Sequence, residues 1–281
     1  MSTFRVVITD HGFPNLKHEE DVIGAAGGEL VVAQCKTAAE VIEAAREADA
    51  LLVQWAPVDA SVIAELKQCK MIVRYGIGVD NVDLGAAKDR GIPVCNIPDY
   101  GVHEVAEHAV SLGLALARQL PMIDARLRVG IWKITPDRPM PSLSEMTFAT
   151  AGLQIDELFT HADILSLHLP LNEETKHLVN AERLAAMKKT AIVVNTARGP
   201  LIDTAALAAA LESEEIAGAG VDVFEEEPLP DDHPLRTAKH ALLTSHVAWY
   251  SESSIPRLQQ LAVEEVVRGL QGEPVKNQVN K

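Results

Sequence analysis

Between Ile192 and Trp249 the chain repeats one arrangement three times: an apolar run that closes on polar side chains. The runs are IVVNTARG, GAGVDVFEEEP and LLTSHVAW, and they close on Arg198, on Asp222 and Glu227, and on His246. An Ala-rich stretch, 203–211, supplies a helix between the first two. Strands that alternate with helices become parallel neighbours, and their carboxyl ends line one crevice. A guanidinium, a carboxylate and an imidazole are therefore expected on one rim.

Those residue types point to a definite chemistry. A guanidinium fork grips a carboxylate through two hydrogen bonds. An imidazole titrates near neutrality, so it gives a proton to a ketone oxygen or takes one from a hydroxyl. A carboxylate beside the ring fixes its tautomer and favours the protonated form. Together they suit a reaction at a carbon lying between a carboxylate and a hydroxyl or ketone. Taken singly, each also fits a plainer role: Arg198 and Glu227 as a surface ion pair, His246 as a buried strand-end histidine.

The alternation also runs upstream. FRVVITD, ELVVAQC, ADALLVQWA, KMIVRYGIG and IPVCNIP read as strands, AAEVIEAAREA and DASVIAELKQ as helices, the latter N-capped by Asp59. This predicts a small doubly wound α/β domain over residues 1–98. Pro98 and Gly101 break the chain, and Val105, Ala109 and Leu112 at helical spacing predict a long helix to about Gln119. In the loop Arg74–Gly78, Gly76 and Gly78 let backbone N–H groups approach an anion, although a tight strand-to-helix turn needs the same glycines. His103, His108, His233 and His240 read as ordinary helix or loop residues, and Glu225 and Glu226 as a solvated loop.

Composition narrows the partners. A formal net charge of -15 over 281 residues argues against a nucleic-acid backbone. Cys35, Cys69 and Cys95 are widely spaced with no metal-ligand pattern, which reads as reduced thiols in a cytoplasmic protein and no metal site. MSTFRVVITD lacks the apolar region of a secretory signal, and the apolar runs are too short to span a membrane.

NTARGPLID, GVDVFEEEPLP and TSHVAWYSE resemble the signature blocks of the D-isomer-specific 2-hydroxyacid dehydrogenases. HVAWYSE resembles the branch that includes the C-terminal-binding-protein corepressors, while RYGIGVDNVD, GIPVCNIP and VAEHAVSLGLALAR fit the family's N-terminal half. The resemblance implies two doubly wound parallel-sheet domains. One is a flavodoxin-like substrate domain (1–98 with the returning tail 250–281), the other a Rossmann-type dinucleotide-binding domain (99–249). It implies an oxidoreductase moving a hydride between NAD(H) and a small D-2-hydroxy or 2-keto acid, with NADP not excluded. Arg198 would clamp the substrate carboxylate and carbonyl, His246 act as acid/base, and Glu227, immediately before Pro228, partner His246. Arg74, Tyr75, Gly76, Ile77, Gly78 and Trp249 would contact substrate. Val105, His168, Leu169, Pro170, Thr196, Ala197 and Asp222 would contact cofactor. The helix after Gly101 and the arm through RVGIW would pack a second subunit, giving a homodimer.

One departure stands out. After PDRPMPSLSEMTF the family has a strand, a GxGxxG turn, a helix and a second strand ending in an acidic residue, the unit that seats a pyrophosphate. Here Phe148 runs into ATAGLQIDELFTHADILSLHLPL, and no GxGxxG occurs anywhere; Asn81 stands where GIGVDN would need its third glycine. A strand–helix–strand crossover takes ~30 residues, so the unit is expected to be missing, its neighbouring strands parted and their edges exposed. Either an internal segment is lacking from these 281 residues or the deletion is genuine. A genuine deletion keeps a second reading open, a catalytically inactive binding or scaffold protein on the same fold.

Overall fold

A computed structural model describes residues 4–136, 138–151 and 156–281. The chain divides into two units, Met1–Val102 with Tyr250–Lys281, and His103–Trp249.

The first unit holds β1 (Arg5–Ile8), α1 (Lys17–Ala25), β2 (Glu29–Val32), α2 (Ala38–Ala45), β3 (Ala50–Val53), α3 (Ala60–Glu65), β4 (Met71–Arg74), α4 (Leu84–Asp89) and β5 (Val94–Cys95). Its five parallel strands lie in the order β2-β1-β3-β4-β5, the flavodoxin-like doubly wound order. β1, β3 and β4 are apolar on both faces because helices cover both. Val41, Val62, Ile63 and Ala87 of α2, α3 and α4 pack with Val7, Leu51, Val53 and Ile72. The Asp59 carboxylate does cap α3, accepting the N–H groups of Ser61 and Val62. The chain's last segment flanks β5: Val94 N–H donates to Asn280 Oδ1, and Val279 N–H to the Val94 carbonyl.

The second unit contains most of α5 (Val102–Ala117), then α6 (Leu120–Arg128), β6 (Phe148–Ala151), α7 (Asp156–His161), β7 (Ile164–Leu167), α8 (Ala181–Ala186), β8 (Ile192–Asn195), α9 (Thr204–Glu212), β9 (Gly218–Val221) and β10 (Ala241–Leu243). The sheet is again five-stranded and parallel, in the order β10-β9-β8-β7-β6. That order never reverses, so right-handed crossovers leave α7, α8 and α9 on one face. Phe159, Leu184, Leu207 and Leu211 pack there against Leu165, Val193, Ala219 and Val221. α5 closes the other face through Leu112 and Leu116 on Ile164, Ile192 and Val194. α10 (Ser254–Leu270) belongs to the first unit and packs on α1, β3 and β4.

The expectation of parted strands needs correction. Phe148–Ala151 forms an edge strand paired in parallel with β7, Phe148 opposite Ile164 and Ala151 opposite Leu167. One short strand therefore fills the place beside β7, and the sheet is continuous from β6 to β10. Residues 152–155, between β6 and α7, lie outside the described residues.

Candidate active site

Parallel strand order puts the ends of β8, β9 and β10 side by side, and backbone hydrogen bonds continue the ladder past them. Asp222 N–H donates to the Asn195 carbonyl at 2.9 Å, and His246 N–H to the Asp222 carbonyl at 2.7 Å. The segments carrying Arg198, Asp222 and His246 are thereby fixed to one another.

Each side chain is held by its own strand end. After β8, the buried Asn195 side chain takes the Ala197 N–H at 3.0 Å and donates to the Arg198 carbonyl at 2.8 Å. These two hydrogen bonds set where Arg198 leaves the sheet, and Arg198 Nη1 returns to the Ala197 carbonyl at 2.7 Å. After β9, Glu227 Oε1 accepts the Phe224 N–H at 2.9 Å, leaving Oε2 against His246 Nδ1 at 2.6 Å. Both side chains remain about a third exposed, 35% and 37%. Burial pushes the Glu227 carboxyl up, but the His246 hydrogen bond and charge together with the Phe224 N–H outweigh it, so it titrates below the ordinary carboxylate value. An ionised Glu227 on Nδ1 makes that nitrogen the donor and leaves Nε2 as the atom that exchanges a proton.

Asp222 directly follows β9, and its carboxylate is hydrogen-bonded within the fold. It is fully buried. Oδ1 accepts the Thr244 hydroxyl at 2.5 Å and the Val247 N–H at 3.0 Å, and Oδ2 the Ala248 N–H at 2.9 Å. The carboxylate is spent on the loop that carries His246, whose backbone is left-handed at φ 56. His108 on α5 joins the cluster, with Nε2 3.0 Å from the Thr244 hydroxyl. Trp249 braces the same loop, donating Nε1–H to the His246 carbonyl at 2.8 Å.

Glu225 is an exposed loop residue, as expected, but its carboxylate is engaged. It accepts the Thr204 N–H at the start of α9 and the Thr204 hydroxyl, and pairs with His177 Nε2 at 2.7 Å. In the first unit, Tyr75 offers nothing to a ligand through its side chain or its N–H. The ring is 1% exposed and the N–H donates to the Val53 carbonyl. Gly76 is required where it stands: at φ 134 its missing Cβ would meet Arg74 Nη1 at 1.8 Å, so the Arg74 side chain lies over it. Ile77 is exposed. His168, Leu169 and Pro170 follow β7, with His168 Nε2 2.9 Å from the Ser166 hydroxyl. A cavity of about 650 Å³ lies elsewhere in the second unit, lined by Arg118, Arg126, Lys133 and Arg138. It contains none of the strand-end side chains. Among the described residues no group of three His, Cys, Asp or Glu is placed to hold a metal ion, and no helix is long and apolar enough to cross a membrane.

A family model, the NAD-binding domain of D-isomer specific 2-hydroxyacid dehydrogenases, matches residues 149–248. A glyoxylate reductase of Thermofilum pendens is 35% identical over 86% of this chain and 84% of its own length. The chain belongs to the D-isomer-specific 2-hydroxyacid dehydrogenase family. It is an NAD-dependent oxidoreductase of that family, transferring a hydride between NAD(H) and a small 2-hydroxy or 2-keto acid. A D-3-phosphoglycerate dehydrogenase of Methanocaldococcus jannaschii is also 35% identical, but the chain spans just over half of it, 56%. A Thermus thermophilus protein superposes with a TM-score of 0.87 at 33% identity, covering 98% of this chain and 99% of that one. The alignment to the glyoxylate reductase runs over 289 residues, more than this dehydrogenase's 281, so the relative carries residues with no counterpart here.

The strand-end rim of this dehydrogenase fits the nicotinamide end of the family's cofactor. Thr196 Oγ1, directly after β8, is buried without a hydrogen-bond partner. A buried hydroxyl left unpaired costs ~1–3 kcal/mol, and a polar group of a nicotinamide nucleotide would satisfy it. The pyrophosphate end has no glycine cradle in the sequence to match it.

Proposed function

We propose that His246 is the acid/base, Glu227 its partner and Arg198 the substrate-carboxylate and carbonyl clamp in the reduction of a small 2-keto acid. The observation that carries this reading is the 2.6 Å contact between Glu227 and His246 Nδ1 on a loop anchored by Asp222. NAD(H), when bound, supplies or accepts the hydride at the α-carbon. His246 Nε2 gives a proton to the ketone oxygen in reduction and takes it back in oxidation. Glu227 holds the ring's orientation and balances the imidazolium charge. Arg198 pairs with the substrate carboxylate and orients the carbonyl.

The remaining assignments are proposals of the same kind. Arg74, Gly76, Ile77 and Gly78 are read as a carboxylate-holding loop, and Trp249 as a brace of the His246 loop that lies beside substrate. Val105, His168, Leu169, Pro170, Thr196 and Ala197 are read as cofactor contacts. NADP is not excluded, because the acidic residue that would discriminate is absent from the sequence. Residues 1–98 with 250–281 are read as the substrate domain and 99–249 as the dinucleotide domain. The three cysteines are all free, which supports a cytoplasmic setting.

Titration with NADH, followed by its oxidation in the presence of glyoxylate and of hydroxypyruvate, tests the reading. Binding in the sub-millimolar range with turnover of at least one acid is the expected result. No binding would favour the scaffold reading, which the lacking GxGxxG supports.

A homodimer is also proposed. Val110 and Leu114 on α5, Leu120 and Leu127 on α6, and Ile131 and Trp132 beyond it are all exposed, Trp132 at 81%. An apolar surface of that extent is characteristic of a covered interface. Sedimentation at micromolar concentration should give a species of twice 30.3 kDa; a monomer would remove the proposal.

A further inference from the structure

The first unit contains a buried polar group that the reaction does not use. Glu19 on α1 is fully buried, as are Tyr75 and Gln259, at 1% and 2% exposure. The Tyr75 hydroxyl donates to Glu19 Oε1 at 2.7 Å. Gln259 Nε2, on α10, donates toward both Glu19 oxygens at 3.2 and 3.1 Å and to the Asn15 carbonyl at 2.8 Å. The Phe13 ring meets the Tyr75 ring edge-on at 5.0 Å. An ionisable carboxylate removed from water is costly unless donors surround it, so the three side chains hold one another in a single arrangement. Burial and the nearby carboxylates push the Tyr75 phenol well above its ordinary range, so it remains a donor.

The group sits at one end of the glycine loop. Tyr75 separates Arg74 from Gly76, and its N–H completes the sheet on Val53. The Gly76 carbonyl accepts Ile97 N–H at 2.9 Å, the Ile77 carbonyl accepts Asn96 Nδ2 at 2.7 Å, and Arg257 of α10 donates to the Tyr100 carbonyl at 2.6 Å. An apolar ring would have filled the space under β4. A phenol held on Glu19 of α1, which Gln259 of α10 holds in turn, instead fixes the rotation of the chain at residue 75, and with it the direction of the Arg74 side chain and of the N–H groups beyond.

We propose that Tyr75, Glu19 and Gln259 are positioning residues that set the Arg74–Gly78 loop for a substrate carboxylate. This rests on reading that loop as a carboxylate site. Because a pre-set loop contributes binding that is uniform along the reaction, its loss raises KM while kcat holds. The test compares Tyr75→Phe, Gln259→Leu, Glu19→Gln and Arg74→Met in steady-state reduction of a 2-keto acid, with thermal unfolding of each. Tyr75→Phe and Gln259→Leu should raise KM about tenfold with kcat within about twofold. Glu19→Gln, which replaces one of the two accepting oxygens by an amide nitrogen facing the Gln259 donor, should raise KM in the same sense. A purely structural network would lower the unfolding temperature without this split. If Arg74→Met raises KM and neither Tyr75→Phe nor Gln259→Leu does, the network is overturned and the loop reading stands. If Arg74→Met leaves KM unchanged, the loop reading fails and takes the network with it.

Discussion

Replacing His246 by alanine or asparagine lowers kcat by about 10²–10⁴-fold, the usual contribution of a positioned acid/base, and leaves NADH affinity where it was. The proposed cofactor contact Thr196 follows β8, whereas His246 lies beyond β10. Folding should be spared for two reasons. The ring is about a third exposed, so water replaces it at Glu227, and the loop is held through backbone groups: His246 N–H on the Asp222 carbonyl, and the Val247 and Ala248 N–H groups on its carboxylate. Asparagine is the cleaner variant, because residue 246 has φ 56 and asparagine tolerates the left-handed region better than alanine. Steady-state rates with a 2-keto acid, beside thermal unfolding, give the answer. A variant turning over at near-parent rate would take His246 out of the chemistry.

The strand-end positions of Arg198, Glu227 and His246 were legible because each closes an apolar run, and the ends of parallel strands lie side by side. What holds the trio was not. Asn195 is the last residue of IVVN, and a buried asparagine bonding two residues of the following turn leaves only a weak local mark. The anchoring by Asp222 has no local mark at all: it exists because β10 pairs with β9, bringing residues 247 and 248 onto a carboxylate far back along the chain. His108 reaches Thr244 for the same long-range reason. Tyr75 was placed at the substrate by resemblance alone, and its ring is buried beyond the end of β4, which is apolar on both faces. Period-two alternation cannot then say which way a side chain points. β6 was unreadable as a strand because FATA offers four residues and two small alanines to its buried face.

Gly199→Ala should be the most damaging small change in the second unit. A Cβ there would stand 1.9 Å from both the carbonyl carbon and oxygen of Phe224 and 2.5 Å from Glu225 N. All three are backbone atoms, so no rotamer relieves the clash. The φ at 199 is not positive, and the glycine is needed for space rather than for conformation. Two backbones meet at this point: the turn that carries Arg198, pinned by Asn195, and the segment that carries Phe224 N–H, Glu225 and Glu227. Forcing them apart costs about 3 kcal/mol, the upper end of ordinary overpacking, and lowers the unfolding midpoint by roughly 5–10 °C. Activity should fall further than stability requires, because the displaced segment contains both the Phe224 N–H that orients Glu227 and Glu227 itself. Gly24→Ala is the matched control. Its Cβ meets nothing within 4 Å on α1, and alanine in a helix gains about 0.5–1 kcal/mol over glycine. A Gly199→Ala protein with the parent's unfolding temperature and kcat would mean that the β8 turn and the Glu227 segment are not packed against each other, and the strand-end site would lose its frame.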